Sequence, residues 1–208
     1  MGNFLSATAF HLDTVDAVVT AVSAAAAARQ VQVEWLLKNG ARRSHEDAMV
    51  YAPVGAWTVV IWPTSAANQL PRAVSVARGV LVSTVYIHDD DLWGHTCYRG
   101  TTRLHDYSSA PDYFEGPRDC DDDYHARVRA SRDPMALALA FGVPASTLAP
   151  YLVAGAPRAP DRRAHADDEF TVGDIWVFVD FWRRLGITFP NDVKPVGFLR
   201  FPPGYRDW

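Results

Sequence analysis

A chain of 208 residues with 49 % hydrophobic and 21 % charged side chains can bury about 70 % of its unfolded surface without metal or disulfide staples, which excludes a disordered chain. The formal net charge is −4, and the 20 Lys and Arg residues are dispersed apart from pairs such as Arg42-Arg43, Arg162-Arg163 and Arg183-Arg184. No basic stripe is offered to phosphates, so nucleic acid is not favoured as a partner.

Two cysteines, Cys97 and Cys120, are too few for a disulfide framework and form no CxxC pair, which fits a reducing cytoplasm. The start, MGNFLSATAFHLD, lacks the basic and apolar regions of a secretory signal. Met-Gly with Ser6 matches a myristoylation pattern, but nothing else points to acylation. No run approaches the ~18 apolar residues of a membrane span. A soluble, cytoplasmic chain with no membrane partner is expected.

FLSATAF alternates apolar with small or polar residues, as a half-buried strand does. A helix follows: Asp13 is the expected cap, Asp16 lies near the positive end of the dipole, and Val15, Val18, Val19 and Val22 recur at helical spacing. The alanines from Ala24 to Ala28 extend it cheaply. VQVEWLL, from Val31 to Leu37, fits either a strand or the last turns of that helix, and KNGARRSHED reads as an exposed loop. AMVYAPV and WTVVIW flank Gly55-Ala56 and predict a hairpin. A second helix is expected from near Pro71 to Gly79, and VLVSTVYI, rich in β-branched residues, should be a central strand.

The order strand, helix, strand, strand, helix, strand is that of the ferredoxin-like arrangement, two helices on one face of an antiparallel sheet. WGHTCYRGTTRLHDY adds a hairpin turning at or beside Gly100. Beyond residue 108 helices and loops take over. Asp133, Pro134 and Gly142 cap, start and stop one helix, and a short helix follows Pro144. APRAPDRRAHADDE is a polar loop, and the aromatic helix near DIWVFVDFWRRLG must be largely buried. The expected fold is α+β: a ferredoxin-like core with added hairpin over 1–108, and a helical extension over 109–208 packed on it as one globular unit.

The densest chemistry lies in HDDDLWGHTCYRGTTRLHD, residues 88 to 106. A transition metal such as zinc needs three or four imidazole, thiolate or carboxylate donors converging within about 2.0–2.3 Å of one point. His95 and Cys97 share a face of an extended strand. If Arg99-Gly100 form the turn, His95 faces Leu104 and His105 points to the opposite face; if Gly100-Thr101 turn, Asp106 comes opposite His95. His88, His95, Cys97 and His105 are therefore the candidate metal or acid–base set, although H-x6-H-x-C-x7-H matches no ligand motif. CDDDYH repeats these residue types as a loop whose Asp121, Asp122, Asp123 and His125 can meet the hairpin in space.

No GxSxG, HExxH or P-loop is present. LALAFGVPASTLAPYL resembles the helix-turn-helix of DNA-binding repressors over about twenty residues. Leu137, Phe141, Val143, Leu148 and Tyr151 stand on its apolar positions, Ala138 on the small one and Gly142 at the turn. The resemblance implies DNA binding, yet the would-be recognition helix has no Arg, Lys, Asn or Gln for base edges. Pro150 inside it would cost about 3 kcal/mol.

Among the aromatics, Trp57, Trp62, Trp176 and Trp182 fall in apolar runs and are expected in the core. Trp93, Tyr107, Tyr113 and Phe114 flank the acidic loops, where aromatics beside acids form binding surfaces. The expected function is non-enzymatic: a binding protein with no cofactor that steers and neutralises a basic protein partner, as small acidic bacterial proteins neutralise basic toxins. Asp89, Asp90, Asp91, Trp93, Tyr113, Phe114 and Asp121 to Asp123 are its candidate contacts. The alternative from the enzyme class uses the His88, His95, Cys97, His105 set.

Overall fold

A computed structural model describes residues 3–38, 44, 46–63, 69–111, 113, 122–153 and 161–205, with the side chains of 122–125 and 127 outside the description. Strand β1, Leu5–Phe10, leads into helix α1, Val15–Ala27. Thr14, rather than Asp13, is its cap: in extended conformation, its side chain accepts the Ala17 N–H at 3.2 Å. Asp16 sits in the first turn as its charge suits. The helix ends where Gln30 turns left-handed (φ 61°), which separates it from VQVEWLL and makes Glu34–Leu37 strand β2.

Strands β3, Asp47–Val50, and β4, Thr58–Ile61, pair antiparallel around Gly55, the hairpin anticipated there. Helix α2, Gln69–Arg78, carries Pro71 in its first turn, where the missing N–H is harmless, and stops at left-handed Gly79. Strands β5, Leu81–His88, β6, Leu92–Arg99, and β7, Thr102–Ser108, follow. Next come helices α3, Asp122–Ser131, α4, Met135–Phe141, α5, Ala145–Leu148, and α6, Phe178–Arg184, and finally strand β8, Gly197–Arg200. CDDDYH thus runs into a helix at Asp122 rather than staying a loop.

The strands form one eight-stranded antiparallel sheet in the order β2-β8-β3-β4-β1-β5-β6-β7. The sheet extends well beyond the four strands and hairpin expected. The strand missing from the sequence-based expectation is β8. Only four residues long, it inserts between β2 and β3, with Glu34 opposite Arg200 on one side and Asp47 opposite Arg200 on the other.

Two compact units divide the chain, and β5, β6 and β7 contribute residues to both. One comprises Leu5–Val85, Cys97–Arg103 and the chain from Ile187 onward. Its core joins α1 (Val18, Ala21, Val22, Ala25, Ala26) and α2 (Leu70, Val74) to one side of the sheet (Phe10, Val50, Val60, Val82, Leu199). Alanines on the buried stripe of α1 let the helix approach the sheet closely, while each large side chain removed from water there contributes about 1.5–3 kcal/mol. Buried Trp62 donates its Nε1–H to Thr8 Oγ1 at 2.7 Å, and Thr8 meets Thr84 at 2.9 Å, so this core leaves the indole satisfied.

The other unit holds Asn3 and Phe4, Tyr86–Thr96 and Leu104–Gly186. Its core is aromatic: Trp93 packs on Tyr107 (centroids 4.8 Å) and Phe181 (5.6 Å), and Tyr151 meets Phe181 edge-on at 5.8 Å. Trp182 and Phe178 complete it, while Trp176 is only half-buried.

The helix-turn-helix resemblance resolves into two short helices. Asp133 accepts the Met135 N–H at 2.9 Å, Gly142 turns left-handed, and Leu137, Ala138, Leu148 and Tyr151 are buried. The second helix is a single turn that becomes a 3-10 turn at Ala149–Tyr151, because Pro150 stops it. It is too short to lie along a DNA groove.

Candidate functional site

β5 and β6 are joined by Asp89 and Asp90, whose φ angles are 53° and 61°; Asp91 closes the turn by donating its N–H to the His88 carbonyl at 3.0 Å. Two consecutive positive φ angles give the turn whose twist matches a hairpin, and Asn-Gly is the low-energy choice for it. For side chains with a Cβ each such conformation costs about 1–2 kcal/mol, somewhat less for Asp. The chain places two acids where relaxed backbone would be simplest to obtain.

Around this tip, Asp90 Oδ2 accepts the Asn3 N–H at 3.0 Å, and Asp91 Oδ2 accepts the Tyr113 hydroxyl at 2.8 Å. That hydrogen bond, ahead of other effects, holds the Tyr113 hydroxyl above its ordinary pKa. The His88 ring meets Phe4 edge-on (4.9 Å) and Tyr113 (5.5 Å), with Phe4 46 % and Tyr113 39 % exposed. The fold therefore assembles Asp89, Asp90, Asp91 and Tyr113 of the anticipated contacts and adds Phe4 and His88.

Trp93 does not join them. It is 1 % exposed and, like Tyr107, faces the aromatic core, because alternation along β6 turns position 93 inward. Phe114 and Asp121 lie outside the described residues, and Asp122, Asp123 and His125 enter only as backbone of α3.

Of the metal or acid–base set, His95 and His105 come together: their Nδ1 atoms are 2.7 Å apart, and both residues are buried. Neither two-residue turn anticipated this pair. His105, not Asp106, faces His95, one residue out of step with a turn at Gly100-Thr101, the offset that a bulge between paired strands produces. Burial is the largest influence on both rings. It lowers His95 well below the ordinary histidine value, helped by His105, and brings His105 to about 4 despite the nearby Asp133 carboxylate.

Both imidazoles are neutral at pH 7, so one Nδ1 donates and the other accepts. His105 Nε2 and Trp93 Nε1 have no hydrogen-bond partner among the described residues. The tautomer with His105 Nδ1–H donating to His95 leaves His105 Nε2 a bare acceptor and avoids a second orphan N–H.

Cys97 is buried, and desolvation pushes its thiol up to about 12, away from the thiolate a metal or a nucleophilic role requires. His88 belongs to the acidic tip. Among the described residues no three or more His, Cys, Asp or Glu side chains are grouped as donors to a metal ion.

A third cluster escaped sequence reading. Asp168, buried, lies 2.8 Å through each carboxylate oxygen from the Tyr151 hydroxyl and accepts the His165 N–H at 2.8 Å. Arg184 donates from Nε to Tyr151 Oη at 3.1 Å and from its terminal nitrogen to Asp167 and Asp168. Arg183 spans Asp167, Asp168 and Asp180, and Asp180 also accepts the Glu169 and Phe170 N–H groups. Burial alone would raise Asp168; the hydrogen bonds from Arg184, Tyr151 and His165 outweigh it and bring the carboxyl below its ordinary value. Every carboxylate here has its donors, so the cluster fastens α6 to the preceding segment. The signal was the pairing of ADDE with FWRR, whose meeting in space no spacing rule reveals.

No helix among the described residues is long and apolar enough to cross a membrane. Comparison with protein-family models gives no match, and neither the curated proteins nor the solved structures contain a significant relative of this chain.

Proposed function

We propose that the chain is a non-enzymatic binding protein that captures, and thereby neutralises, a protein partner with a basic surface through the tip of the β5–β6 hairpin. The observation that carries this reading is the pair Asp89 and Asp90, both held left-handed at an exposed turn. Backbone strain is retained where a function uses it. Three carboxylates in succession attract a cationic partner, and the exposed Phe4 and Tyr113 rings beside them supply apolar contact once it arrives.

The ferredoxin-like description belongs to the same proposal. The side-by-side order β3-β4-β1-β5, the antiparallel inner pair β4 and β1, and the shared core of α1 and α2 support it. A reducing cytoplasm, suited to the free thiol of Cys97, is the proposed setting.

The test is a titration of the chain with a fluorescent Lys/Arg-rich peptide at low and high salt, beside the triple variant D89N/D90N/D91N. Asparagine tolerates the left-handed turn and preserves an acceptor for Tyr113, so only charge is removed. The variant should bind about tenfold more weakly at low salt, and the gap should close as salt screens it. Equal binding by the two chains at low salt would sink the proposal.

A further inference from the structure

β2 ends the sheet on its side: the order begins β2-β8-β3, and no described strand lies beyond it. The ladder with β8 decides which of its backbone groups look outward. Lys38 donates its N–H to the Val196 carbonyl at 3.3 Å, in step with the register Leu37↔Gly197, Leu36↔Phe198, Trp35↔Leu199 and Glu34↔Arg200. Along an antiparallel strand the N–H and C=O of successive residues alternate in direction, so Glu34, Leu36 and Lys38 use theirs on β8. Trp35 and Leu37 point theirs away.

The far side of β8 agrees. Tyr51 donates to the Val59 carbonyl on β4, so Val50 faces β8; its partner Gly197 then faces β3, and Phe198 faces β2 opposite Leu36.

We propose that this edge is an interface with a second copy of the chain, β2 against β2, antiparallel about a two-fold axis at Leu36. The outward-facing residues must pair with one another, which leaves three registers: Trp35 with Trp35, Leu37 with Leu37, or Trp35 with Leu37. The first sets Glu34 against Leu36, and the second sets Lys38 against Leu36. The third alone sets Glu34 of each copy opposite Lys38 of the other, at non-hydrogen-bonded positions where cross-strand side chains come closest.

The other face of the strand is equally self-complementary. Trp35 is half-buried against the α1–α2 core, and Leu37, on the same side, is 67 % exposed. In this register Leu37 of each copy covers Trp35 of the other, and four N–H···O=C bonds cross the axis. Arg200, which stands opposite Glu34 on β8, is gripped by Asp47 at 2.9 and 3.0 Å and shares its charge between Asp47 and Glu34, so Lys38 of the second copy adds a cation to Glu34 from the outer side. A second copy is the occupant that opposite charges two positions either side of Leu36 specify.

Sedimentation or light scattering of the full chain across micromolar concentrations tests this. The wild-type chain should dimerise. Glu34→Lys and Lys38→Glu should each weaken the dimer at least tenfold by setting like charges face to face, and the double exchange E34K/K38E should restore it. Leu37→Pro removes an outward N–H that β8 does not use, so it should leave the circular dichroism spectrum unchanged and abolish the dimer.

A wild-type chain that stays monomeric throughout overturns the proposal. So does a dimer indifferent to both single exchanges, which places the contact elsewhere. Loss without restoration by the double exchange rejects the Glu34–Lys38 register.

Discussion

His95 and His105 share one hydrogen bond between their Nδ1 atoms, 2.7 Å apart, with the Phe181 ring against both, at 5.0 and 6.4 Å. Two neutral imidazoles can satisfy each other in this way; adding a proton puts a charge into an aromatic enclosure.

Acid should therefore loosen the fold before its carboxylates titrate. Both folded pKa values lie below the unfolded value near 6.5, that of His105 at about 4. The stabilisation is whole above pH 6.5 and is lost as pH falls from there toward 4, about 3 kcal/mol for His105. Asp167 and Asp168, whose carboxyls are lowered, add a loss only below about pH 4. Urea midpoints measured from pH 7 to pH 4 should fall for the wild type and fall less steeply over that window in His105→Phe, where the buried His95 still resists a proton. An unchanged slope in the variant would assign the acid sensitivity to other groups.

Asp168 and its neighbour Asp167 should behave very differently when truncated. The side chain of Asp168 is 0 % exposed and that of Asp167 is 61 % exposed, although both pair with Arg184. Asp168→Ala leaves the buried Tyr151 hydroxyl and the His165 N–H without their acceptor and takes one of two carboxylates from Arg184, and should cost about 2–4 kcal/mol. Asp167→Ala should cost under about 1 kcal/mol, and less in high salt, because water already screens the pair. Denaturant unfolding of the two variants measures the contrast; equal losses would mean that the clasp gains nothing from burial.

Two glycines lie beneath aromatic rings. A Cβ at Gly94 would come within 2.1 Å of the Tyr86 ring, and one at Gly197 within 2.3 Å of Trp35 and 2.7 Å of the Leu36 carbonyl. The Tyr86 hydroxyl, raised to about 12 chiefly by burial, is held by Ser108, yet the ring can still swing. Backbone cannot. Gly94→Ala should cost about 1–3 kcal/mol and Gly197→Ala more, read from urea unfolding. Combined with Tyr86→Ala, Gly94→Ala should cost less than the sum of the two single losses, whereas the losses from Tyr86→Ala and Gly197→Ala should add.

At the acidic tip, Asp89→Asn with Asp90→Gly introduces the favoured turn pair. Thermal melts should show a gain of about 1 kcal/mol, less what the lost Asn3 contact contributes. The proposed peptide binding should weaken in the same protein. A variant that gains stability and keeps its binding would show that the strain serves something else.

What was legible in the sequence was what neighbours in sequence decide. The turns at Gly55, Gly79 and Gly142 each need a left-handed backbone and were placed by their glycines, and the 3.6-residue spacing of valines placed α1. The acidic tip was visible as a run of aspartates. The inward turn of Trp93 and the His95–His105 pairing were not, because each depends on which face of β6 is buried and on a one-residue offset in its partner strand. β8 was missed for a related reason: GFLR is too short to show a period, and its strand character comes from the ladders on either side.

The place of β8 also sets an order of events. Among the described strands β2 has no neighbour other than β8, and β3 has β8 on the side away from β4, so both wait on residues made well over a hundred positions later. A nascent chain that has released Glu34–Val50 carries two unfinished edges until Gly197–Arg200 has emerged, one of them with Leu37 and Trp35 along it. Closure then comes in one step across a long loop, a slow route by the measure of sequence separation. During synthesis this half of the sheet is at its most exposed to wrong partners, and a chain cut short before Gly197 would keep that exposure permanently.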